Sequence, residues 1–387
     1  MKIHLKKRKE IYSQYATSPV DPLLFAITLA LLVFGSVMVG SASMEIGLRN
    51  YGNPFHLVAI HHIYIFIGLL SFVFVLALPV IFWEKIGRIL LIISLLLLTA
   101  VLVPGIGKEV NGSIRWIQIG PVNLQGSEFV KLFFLVYLAK SLSNKKDGLE
   151  SSTRPLLVPI FFLCFIVLLL LRQPDFGASI VLILSSSAVL YLSGVSSRFL
   201  LPYGLLVFLF IIIVAVIQPY RFDRIVSFFD PWHDPFGSGY QLTQALIAFG
   251  RGEWFGLGLG NSIQKLFFLP EAHTDFIFSI IGEELGFVGA ACVVLLFVAF
   301  VIRGLSIGNA AKRKGMNFHS SLAYGISIVL GVQSVVNLGV NLGVLPTKGI
   351  TLPFISYGGN SLVVSLVMVA ILLRIETESR IGREKNA

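Results

Sequence analysis

A single aspartate, Asp275, stands where a long polar segment ends and a long apolar stretch begins. The polar segment covers residues 218–275 and is rich in glycine and charge, in a chain that is otherwise largely apolar. A loop of that length is uncommon unless it has a function of its own. Because arginines and lysines accompany the carboxylate, the pattern predicts chemistry on an anionic, lipid-borne substrate. The same aspartate would also suit a helix cap, since free amides and the helix dipole favour an acid there.

Cations on the outer side of the chain are candidates for binding such a substrate. The planar fork of arginine matches phosphate oxygens, and lysine supplies a compact point charge. Some of these cations would equally suit contacts with anionic lipid head groups. The candidate binding residues are Arg115, Lys131, Arg172, Arg221, Arg224, Arg251, Lys265 and Lys348, together with Glu128 and His273. Glu128 and Lys131 are spaced i, i+3, so they can also pair with each other on one helix face.

Several polar residues lie within apolar stretches. Glu283 and Glu284 follow Asp275 by about two turns, and the i+4 spacing places Glu283 on the same helix face as Asp275. Carboxylates at that depth are costly and normally face a partner inside the bundle, so a structural ion pair with Lys131 or another basic residue is one interpretation. A second polar group is a stripe at i, i+4 and i+8 formed by Gln333, Asn337 and Asn341. Such a stripe either joins helices through hydrogen bonds or lines a polar cavity.

The composition is that of a membrane protein, so we expect transmembrane helices to position these residues. The chain has 387 residues, of which 56% are hydrophobic and 13% charged, which is about half the charge of a soluble domain. We predict one all-α, polytopic membrane domain, residues 1–387, with about ten transmembrane helices. The two cysteines lie in apolar runs, which excludes a disulfide framework and a zinc site. The predicted spans are 23–42, 58–81, 88–104, 126–143, 156–171, 177–193, 199–217, 276–302, 320–343 and 355–373.

The distribution of positive charge predicts the orientation. With ten spans both termini share a side, and roughly two thirds of the 30 lysines and arginines fall on that side, as expected of the cytoplasm. Residues 1–21 and 374–387 are then cytoplasmic tails, and 218–275 is a large extracytoplasmic loop. The net charge of +10 reflects these basic cytoplasmic segments and not nucleic-acid binding. Segments 105–125, 172–177 and 345–361 share the outer face with the large loop, so an active site is predicted there.

Several motifs along nearly the whole chain resemble those of one protein family and occur in the same order as in that family. They are Arg115-Trp116-Ile117, Gln125-Gly126-Ser127-Glu128 with Lys131, Gln173-Pro174-Asp175-Phe176-Gly177, Leu269-Pro270-Glu271-Ala272-His273-Thr274-Asp275-Phe276, Gly282-Glu283-Glu284-Leu285-Gly286 and Pro346-Thr347-Lys348-Gly349. The family is that of the polytopic peptidoglycan polymerases of cell shape, elongation, division and sporulation, which includes RodA, SpoVE and FtsW. The stretches Asp230-Pro231-Trp232, Gly250-Arg251-Gly252-Glu253-Trp254 and Asn261-Ser262-Ile263-Gln264-Lys265 resemble its division branch. The chain departs from the family pattern at Gly126, usually proline, and at Asn360, usually serine.

The resemblance implies a function. The substrate would be lipid II, a disaccharide-pentapeptide on undecaprenyl pyrophosphate, polymerised into glycan strands for septal cell-wall synthesis during division. Asp275 corresponds to the family's essential acid. The resemblance leaves open whether a divalent cation, Mg²⁺ or Mn²⁺, binds beside it. The implied partners are a class B penicillin-binding protein of the FtsI type and other division-site proteins. The implied location is the bacterial cytoplasmic (inner) membrane, at the division septum.

Two other functions remain open from the residues alone. The polar stripe, Glu283 and Lys131 would also suit the head-group path of a lipid II flippase. A non-enzymatic scaffold at the division site is the third interpretation. The external concentration of acid and base favours catalysis over both.

Overall fold

The computed structural model describes residues 20–110, 113–120, 122–143, 154–217, 224 and 226–384. Each predicted span overlaps a helix, so the prediction of a helical polytopic fold is confirmed. The predicted bounds 58–81 and 88–104 are wrong where the two spans approach each other, because one helix ends at Ala77 and the next begins at Val80. The helices are α1 (Pro22–Tyr51), α2 (His56–Ala77), α3 (Val80–Leu102), α4 (Gly126–Ser143), α5 (Arg154–Arg172), α6 (Phe176–Leu192), α7 (Ser197–Ile217), α8 (Tyr240–Gly252), α9 (Ile277–Arg313), α10 (Asn317–Asn341) and α11 (Gly359–Glu384).

The lengths and composition of these helices fit a bilayer. Among the described residues, α1, α2, α3, α9, α10 and α11 are long and apolar enough to cross a membrane, and α5, α6 and α7 contain shorter apolar stretches. Helix α4 is less apolar because it carries Glu128, Lys131 and Lys140 within 18 residues. Its two inner charges must therefore find partners inside the bundle.

One face of the bundle gathers the ends of four helices. Asp21 begins α1 by accepting the Leu24 amide at 2.7 Å, and it also accepts Arg303 Nε of α9 at 3.1 Å. Glu378 of α11 accepts the Val80 amide at the start of α3 at 3.0 Å. Helix α11 thus continues well beyond residue 373, where a cytoplasmic tail was predicted, because buried contacts extend it to Glu384. The start of α1 and the end of α11 share this face, as expected for two termini on one side.

The opposite face carries a small sheet that the sequence analysis did not predict. Strands β1 (Gly107–Val110), β2 (Ser113–Ile119) and β3 (Val122–Gln125) pair antiparallel in the order β1-β2-β3. Strand β2 is rich in isoleucine and tryptophan, which favour the extended backbone. Asn360 Nδ2 ties the sheet to α11 by donating to the Asn123 carbonyl at 2.7 Å. The departure from the family pattern at residue 360 therefore takes part in fixing the sheet.

The large loop reaches back into the bundle at a break in α9. Gly286 adopts φ 65° and ψ −164° inside that helix, which frees carbonyls from the helical ladder. The loop satisfies them, since the amides of Leu257 and Gly258 donate to the carbonyls of Glu283 and Glu284, each at 3.0 Å. Backbone polar groups at membrane depth require such internal partners. The loop is therefore anchored to the helix that follows Asp275.

Candidate active site

Asp275 lies in a tight turn just before α9 and does not cap that helix. The N-cap of α9 is Phe276, which makes no side-chain capping bond. Asn341 of α10 serves the first turn instead, because its Oδ1 accepts the Ser279 amide at 3.0 Å and the Ser279 hydroxyl at 2.8 Å. The capping interpretation of Asp275 is wrong, and its carboxyl group is left for another role.

The backbone around Asp275 is held from two other elements. Three successive carbonyl groups, those of residues 273, 274 and 275, each accept hydrogen bonds from α10 or from the segment 345–358 that precedes α11. The donors are the Tyr357 amide at 2.9 Å, the Ser356 hydroxyl at 2.6 Å, and the side-chain amides of Asn337 and Asn341 at 2.8 and 2.9 Å. Preorganisation of this kind fixes where the carboxyl group points.

The surroundings of Asp275 raise the pKa of its carboxyl group to about 7. Burial is the largest cause, because desolvation disfavours the charged form, and the neighbouring carboxylates of Glu271 and Asp175 act in the same direction. The positive charges of Arg115 and Arg224 oppose this rise. The side chain keeps partial exposure to solvent. A carboxyl group with a pKa near the working pH is suited to accept a proton in a reaction.

Two arginines are positioned beside this carboxyl group by different elements. Arg115 of β2 donates from Nε to the Gln173 carbonyl at 3.3 Å and from a terminal nitrogen to the Pro174 carbonyl at 2.5 Å. Arg224 donates to the Thr347 carbonyl at 3.1 Å. Carbonyl groups are neutral acceptors, so these bonds orient the guanidinium groups without cancelling their charge. Both arginines act electrostatically on Asp275 and would act on a bound anion in the same way.

The segment before α11 contributes a lysine and a glycine to the same region. Lys348 Nζ lies 4.4 Å from the centroid of the Phe176 ring, a cation–π contact. Gly349 packs against Asp275 so closely that a Cβ atom at residue 349 would lie 2.8 Å from Asp275 Oδ2. A glycine there leaves the carboxyl group room on that side. Asp275, Arg115, Arg224, Lys348 and Gly349 therefore form one cluster on the outer face.

The chain resembles known proteins over nearly its whole length. The FtsW/RodA/SpoVE family model, described as "Cell cycle protein", matches residues 22–381. The chain belongs to the FtsW/RodA/SpoVE family. It is similar to the probable peptidoglycan glycosyltransferase FtsW of Nitrosococcus halophilus, with 47% identity over 94% of each chain. It is also similar to that of Pseudomonas fluorescens, with 48% identity over 93% of this chain and 89% of the relative.

Solved structures agree with this assignment. The chain superposes with a TM-score of 0.75 and 30% identity on a chain from a peptidoglycan synthase complex that coordinates polymerization and crosslinking, covering 93% of this chain and 98% of that one. The rod shape determining protein RodA of Thermus thermophilus gives a TM-score of 0.69 and 28% identity, with the same coverage. As a member of the FtsW/RodA/SpoVE family with many apolar helices, the chain is a multi-pass membrane protein.

Other predicted binding residues of this family member lie in a buried network. Lys131 Nζ bonds Glu128 at 2.9 Å and Gln333 Oε1 at 2.5 Å, and all three side chains are almost fully buried. Gln333 also donates to the Thr351 carbonyl at 3.0 Å. The polar stripe on α10 therefore joins helices and loops, as one of its two interpretations predicted. A contact of Lys131 or Glu128 with substrate stays a prediction.

Glu283 and Glu284 form ion pairs with two of the cations that were predicted to bind substrate. Glu284 pairs with Lys265 at 2.7 Å, and Glu283 pairs with Arg251 at 3.3 Å. Both carboxylates are fully buried, and Ser41 of α1 also donates to Glu284 at 2.7 Å. The prediction of structural ion pairs is confirmed, although the partners belong to the large loop and not to Lys131. Binding of substrate by Lys265 or Arg251 stays a prediction.

We expect that replacing Lys265 by methionine destabilises the protein. The substitution leaves Glu284 buried without its cation, which typically costs about 3–5 kcal/mol. Thermal unfolding in nanodiscs should show a lower midpoint for Lys265→Met and partial recovery in Lys265→Met/Glu284→Gln. The control is Lys108→Met, at an exposed position of β1. Equal midpoints for Lys265→Met and this control would show that the pair contributes little.

Three predicted binding residues remain: Arg172, Arg221 and His273. Arg172 is exposed at the end of α5, and Arg221 lies outside the described residues. The His273 ring packs against the Tyr357 ring at a tilt of 41°, with 5.4 Å between the ring centroids. Burial lowers the pKa of the His273 ring, and the charge of Glu271 opposes this effect. Asp175 was not among the predicted site residues, and it caps α6 by accepting the Ala178 amide at 3.2 Å. Its position in the turn 173–177 on the outer face is the sequence feature that could have identified it as a site residue.

A divalent cation at this site would need ligands from the substrate. In the described part of the chain, no three histidine, cysteine or acidic side chains lie together as a metal cage. Mg²⁺ is commonly held by one or two carboxylates together with substrate phosphates, and Asp275 with Glu271 would supply such oxygens. The predicted Mg²⁺ or Mn²⁺ therefore stays a prediction that fits these residues only with substrate bound.

Proposed function

We propose that this protein is a peptidoglycan glycosyltransferase that polymerises lipid II into glycan strands on the outer face of the cytoplasmic membrane. The observation that carries the proposal is the placement of Asp275 on the outer face, with its backbone held by Asn337 and Asn341 and with Arg115 and Arg224 close enough to act on its carboxyl group. The activity named for relatives about 47% identical over most of the chain supports the same reaction. A septal role in cell division follows from the division branch to which those relatives belong.

The reaction needs one base and a stabilised leaving group. The 4-hydroxyl of the acceptor sugar attacks the anomeric carbon of the donor, the bond from that carbon to the pyrophosphate oxygen breaks, and the configuration inverts. Asp275 takes the hydroxyl proton. Glycosidases use a second carboxyl group to protonate the leaving oxygen, but undecaprenyl pyrophosphate departs as an anion. Cations placed where that negative charge develops then replace the second acid.

The cluster supplies those cations in a fixed arrangement. Arg115 and Arg224 are oriented by carbonyl groups of the turn 172–177 and the segment 345–358, and guanidinium forks match phosphate oxygens. Lys348 lies in that same segment, next to the glycine that contacts Asp275. We assign the pyrophosphate to these three residues, with Arg172 and Arg221 as further candidates. A bound divalent cation would add charge neutralisation at the pyrophosphate.

Polymerisation and lipid transport are separated by one experiment. Purified protein in proteoliposomes is given labelled lipid II, and products are resolved on a gel while leaflet exchange is followed with an impermeant quencher. We expect glycan polymer and no transbilayer movement. A flippase would give movement without polymer, and a scaffold would give neither. The polar groups that a head-group path needs, Lys131, Glu128 and Gln333, already bond to one another, which supports polymerisation.

The partner is part of the proposal. A solved structural relative comes from a peptidoglycan synthase complex, and we propose a class B penicillin-binding protein of the FtsI type as the partner of this chain. The same gel assay run with and without the purified partner tests it. A rate that rises with partner concentration and saturates supports the pairing, whereas an unchanged rate contradicts it.

Gly349→Ala should slow polymerisation without unfolding the protein. The added Cβ would lie 2.8 Å from Asp275 Oδ2, so the carboxyl group must move, and a displacement of about 1 Å can cost roughly 10²-fold in rate. The measurement is the initial rate of glycan synthesis from labelled lipid II. The control is Gly250→Ala in α8, where an added Cβ meets no atom within 4 Å. Equal rates for both variants would show that this contact is irrelevant.

A further inference from the structure

A cavity with a basic rim lies between the cytoplasmic ends of α3, α4 and α5, on the face opposite Asp275. Its volume is about 510 Å³. Its lining includes two cations, two side chains with a hydroxyl group and two apolar side chains: Arg88, Lys140, Tyr137, Ser141, Val158 and Phe162. The site belongs to no step of the proposed reaction, which takes place on the opposite face.

Arg88 brings a positive charge to this cavity. Its side chain is exposed, and within the described ranges no carboxylate pairs with it, although Glu84 stands one turn earlier. Glu84 instead accepts the Ser143 hydroxyl at 3.3 Å. A long cationic side chain near a helix end extends toward the membrane surface, so Arg88 can meet a ligand at head-group depth.

Lys140 is held in place beside Arg88. Its stem crosses α3 at Gly87, where a Cβ atom would lie 3.1 Å from Lys140 Cδ. Its Nζ donates to the Lys85 carbonyl at 3.0 Å. The carbonyl is neutral, so the ammonium group keeps its charge and two of its three donor hydrogens for another acceptor.

The rest of the lining suits hydrocarbon. Phe162 packs edge-on against Tyr137, with 5.8 Å between the ring centroids. Val158 and Ile92 are each more than half exposed, at 55% and 57%, on helices that we place in the bilayer. Two cations at one end and apolar walls at the other match a phosphodiester head group followed by acyl chains.

We propose that this cavity binds one anionic phospholipid of the inner leaflet. Its phosphodiester lies between Arg88 and Lys140, the Tyr137 hydroxyl group donates to one of its oxygens, and its acyl chains follow Val158 and Phe162. The Ser141 hydroxyl already donates to the Tyr137 carbonyl at 3.0 Å, so it lines the cavity only as an acceptor. Basic pockets between transmembrane helices on the cytoplasmic side bind anionic head groups in this way. Free phosphate would use the cations but gain nothing from the apolar walls.

The test uses the full-length protein in nanodiscs that contain equal amounts of phosphatidylglycerol and phosphatidylcholine. Native mass spectrometry after mild detergent transfer measures which lipid stays bound. Two cations near the head group predict roughly 30-fold enrichment of phosphatidylglycerol. Arg88→Gln/Lys140→Gln should abolish that enrichment. The matched control, Arg198→Gln/Arg313→Gln, removes two exposed cations near the cytoplasmic ends of α7 and α9 and should leave it intact.

Further measurements distinguish binding of phosphatidylglycerol from binding of other ligands. Val158→Trp, which fills the cavity but keeps both charges, should reduce retention of phosphatidylglycerol at least tenfold and covers the case in which the double variant fails to fold. Equal loss in the Arg198→Gln/Arg313→Gln control would overturn the proposal, because it would indicate general surface attraction. Displacement of the lipid by millimolar inorganic phosphate would overturn it too, as would preferential binding of undecaprenyl pyrophosphate over phosphatidylglycerol at this cavity.

Discussion

Asp275→Asn should lower the initial rate of glycan polymerisation by about 10²–10⁴-fold, the usual contribution of a positioned general base. Asparagine has nearly the same shape and keeps the backbone carbonyl that accepts from Asn337 and Asn341, but it cannot take the proton of the acceptor hydroxyl. The measurement is the gel-resolved rate from labelled lipid II with saturating partner. Binding of donor substrate, which rests on the cations, should change much less than the rate.

Folding of the Asp275→Asn variant provides an internal control. Burial raises the pKa of Asp275 to about 7, above its value in the unfolded chain, so the folded state favours the neutral form. The stability associated with that neutral form is present at low pH and is lost as pH rises through 7. A neutral asparagine keeps it, so the variant should be at least as stable as the wild type at pH 8.

A matched acid elsewhere on the outer face completes the experiment. Glu109→Gln removes an exposed carboxylate from β1 and should leave the rate unchanged. Wild-type synthesis by well-folded Asp275→Asn would eliminate the assignment of this residue as the base. Loss of activity in Glu109→Gln as well would mean that the outer face acts through its overall charge and not through one carboxyl group.

The predictions from sequence were most accurate where the residues of a single helix determine its bounds. Residues 126–143 form α4 with the predicted bounds, because the helix begins where the outer segment 105–125 ends and its apolar residues continue to Ser143 in spite of three charges. The sheet was missed because strands of four to seven residues give little pattern, and their pairing depends on contacts with α4 and α11. The continuation of α11 past residue 373 was missed for a similar reason: Arg374 and Glu378 are charged, yet they pair with each other at 2.9 Å inside the fold.

The site was predictable in its residue types but not in its pairings. Asp275 was identified from its place at a polar–apolar boundary. Which cations surround it was not predictable, because Lys265 pairs with Glu284 and Arg251 with Glu283 through a loop that enters a break in α9. That break is at Gly286, and a glycine within a helix does not by itself reveal a positive φ. The role of Gly349 likewise depends on a contact between residues distant in the sequence.

Arg115→Gln is expected to lower the polymerisation rate by roughly 10²–10³-fold, the usual loss when one charge-stabilising donor is removed. It should also change the pH dependence. Burial and Glu271 raise the pKa of Asp275, whereas Arg115 lowers it. In the wild type the rate should therefore fall as pH drops through about 7, because a protonated carboxyl group cannot act as a base. Removing Arg115 raises that pKa, so the fall should begin at higher pH.

Glu271→Gln should move the same profile in the opposite direction. Glu271 raises the pKa of Asp275, and glutamine keeps an oxygen that can accept the Thr274 hydroxyl, now bonded to Glu271 at 2.6 Å. The acidic limb of the rate should then begin at lower pH, with little loss at pH 8. Opposite shifts in these two variants require one titrating group that senses both charges. Parallel shifts, or a profile unchanged in both, would show that the group limiting the rate at low pH is not Asp275.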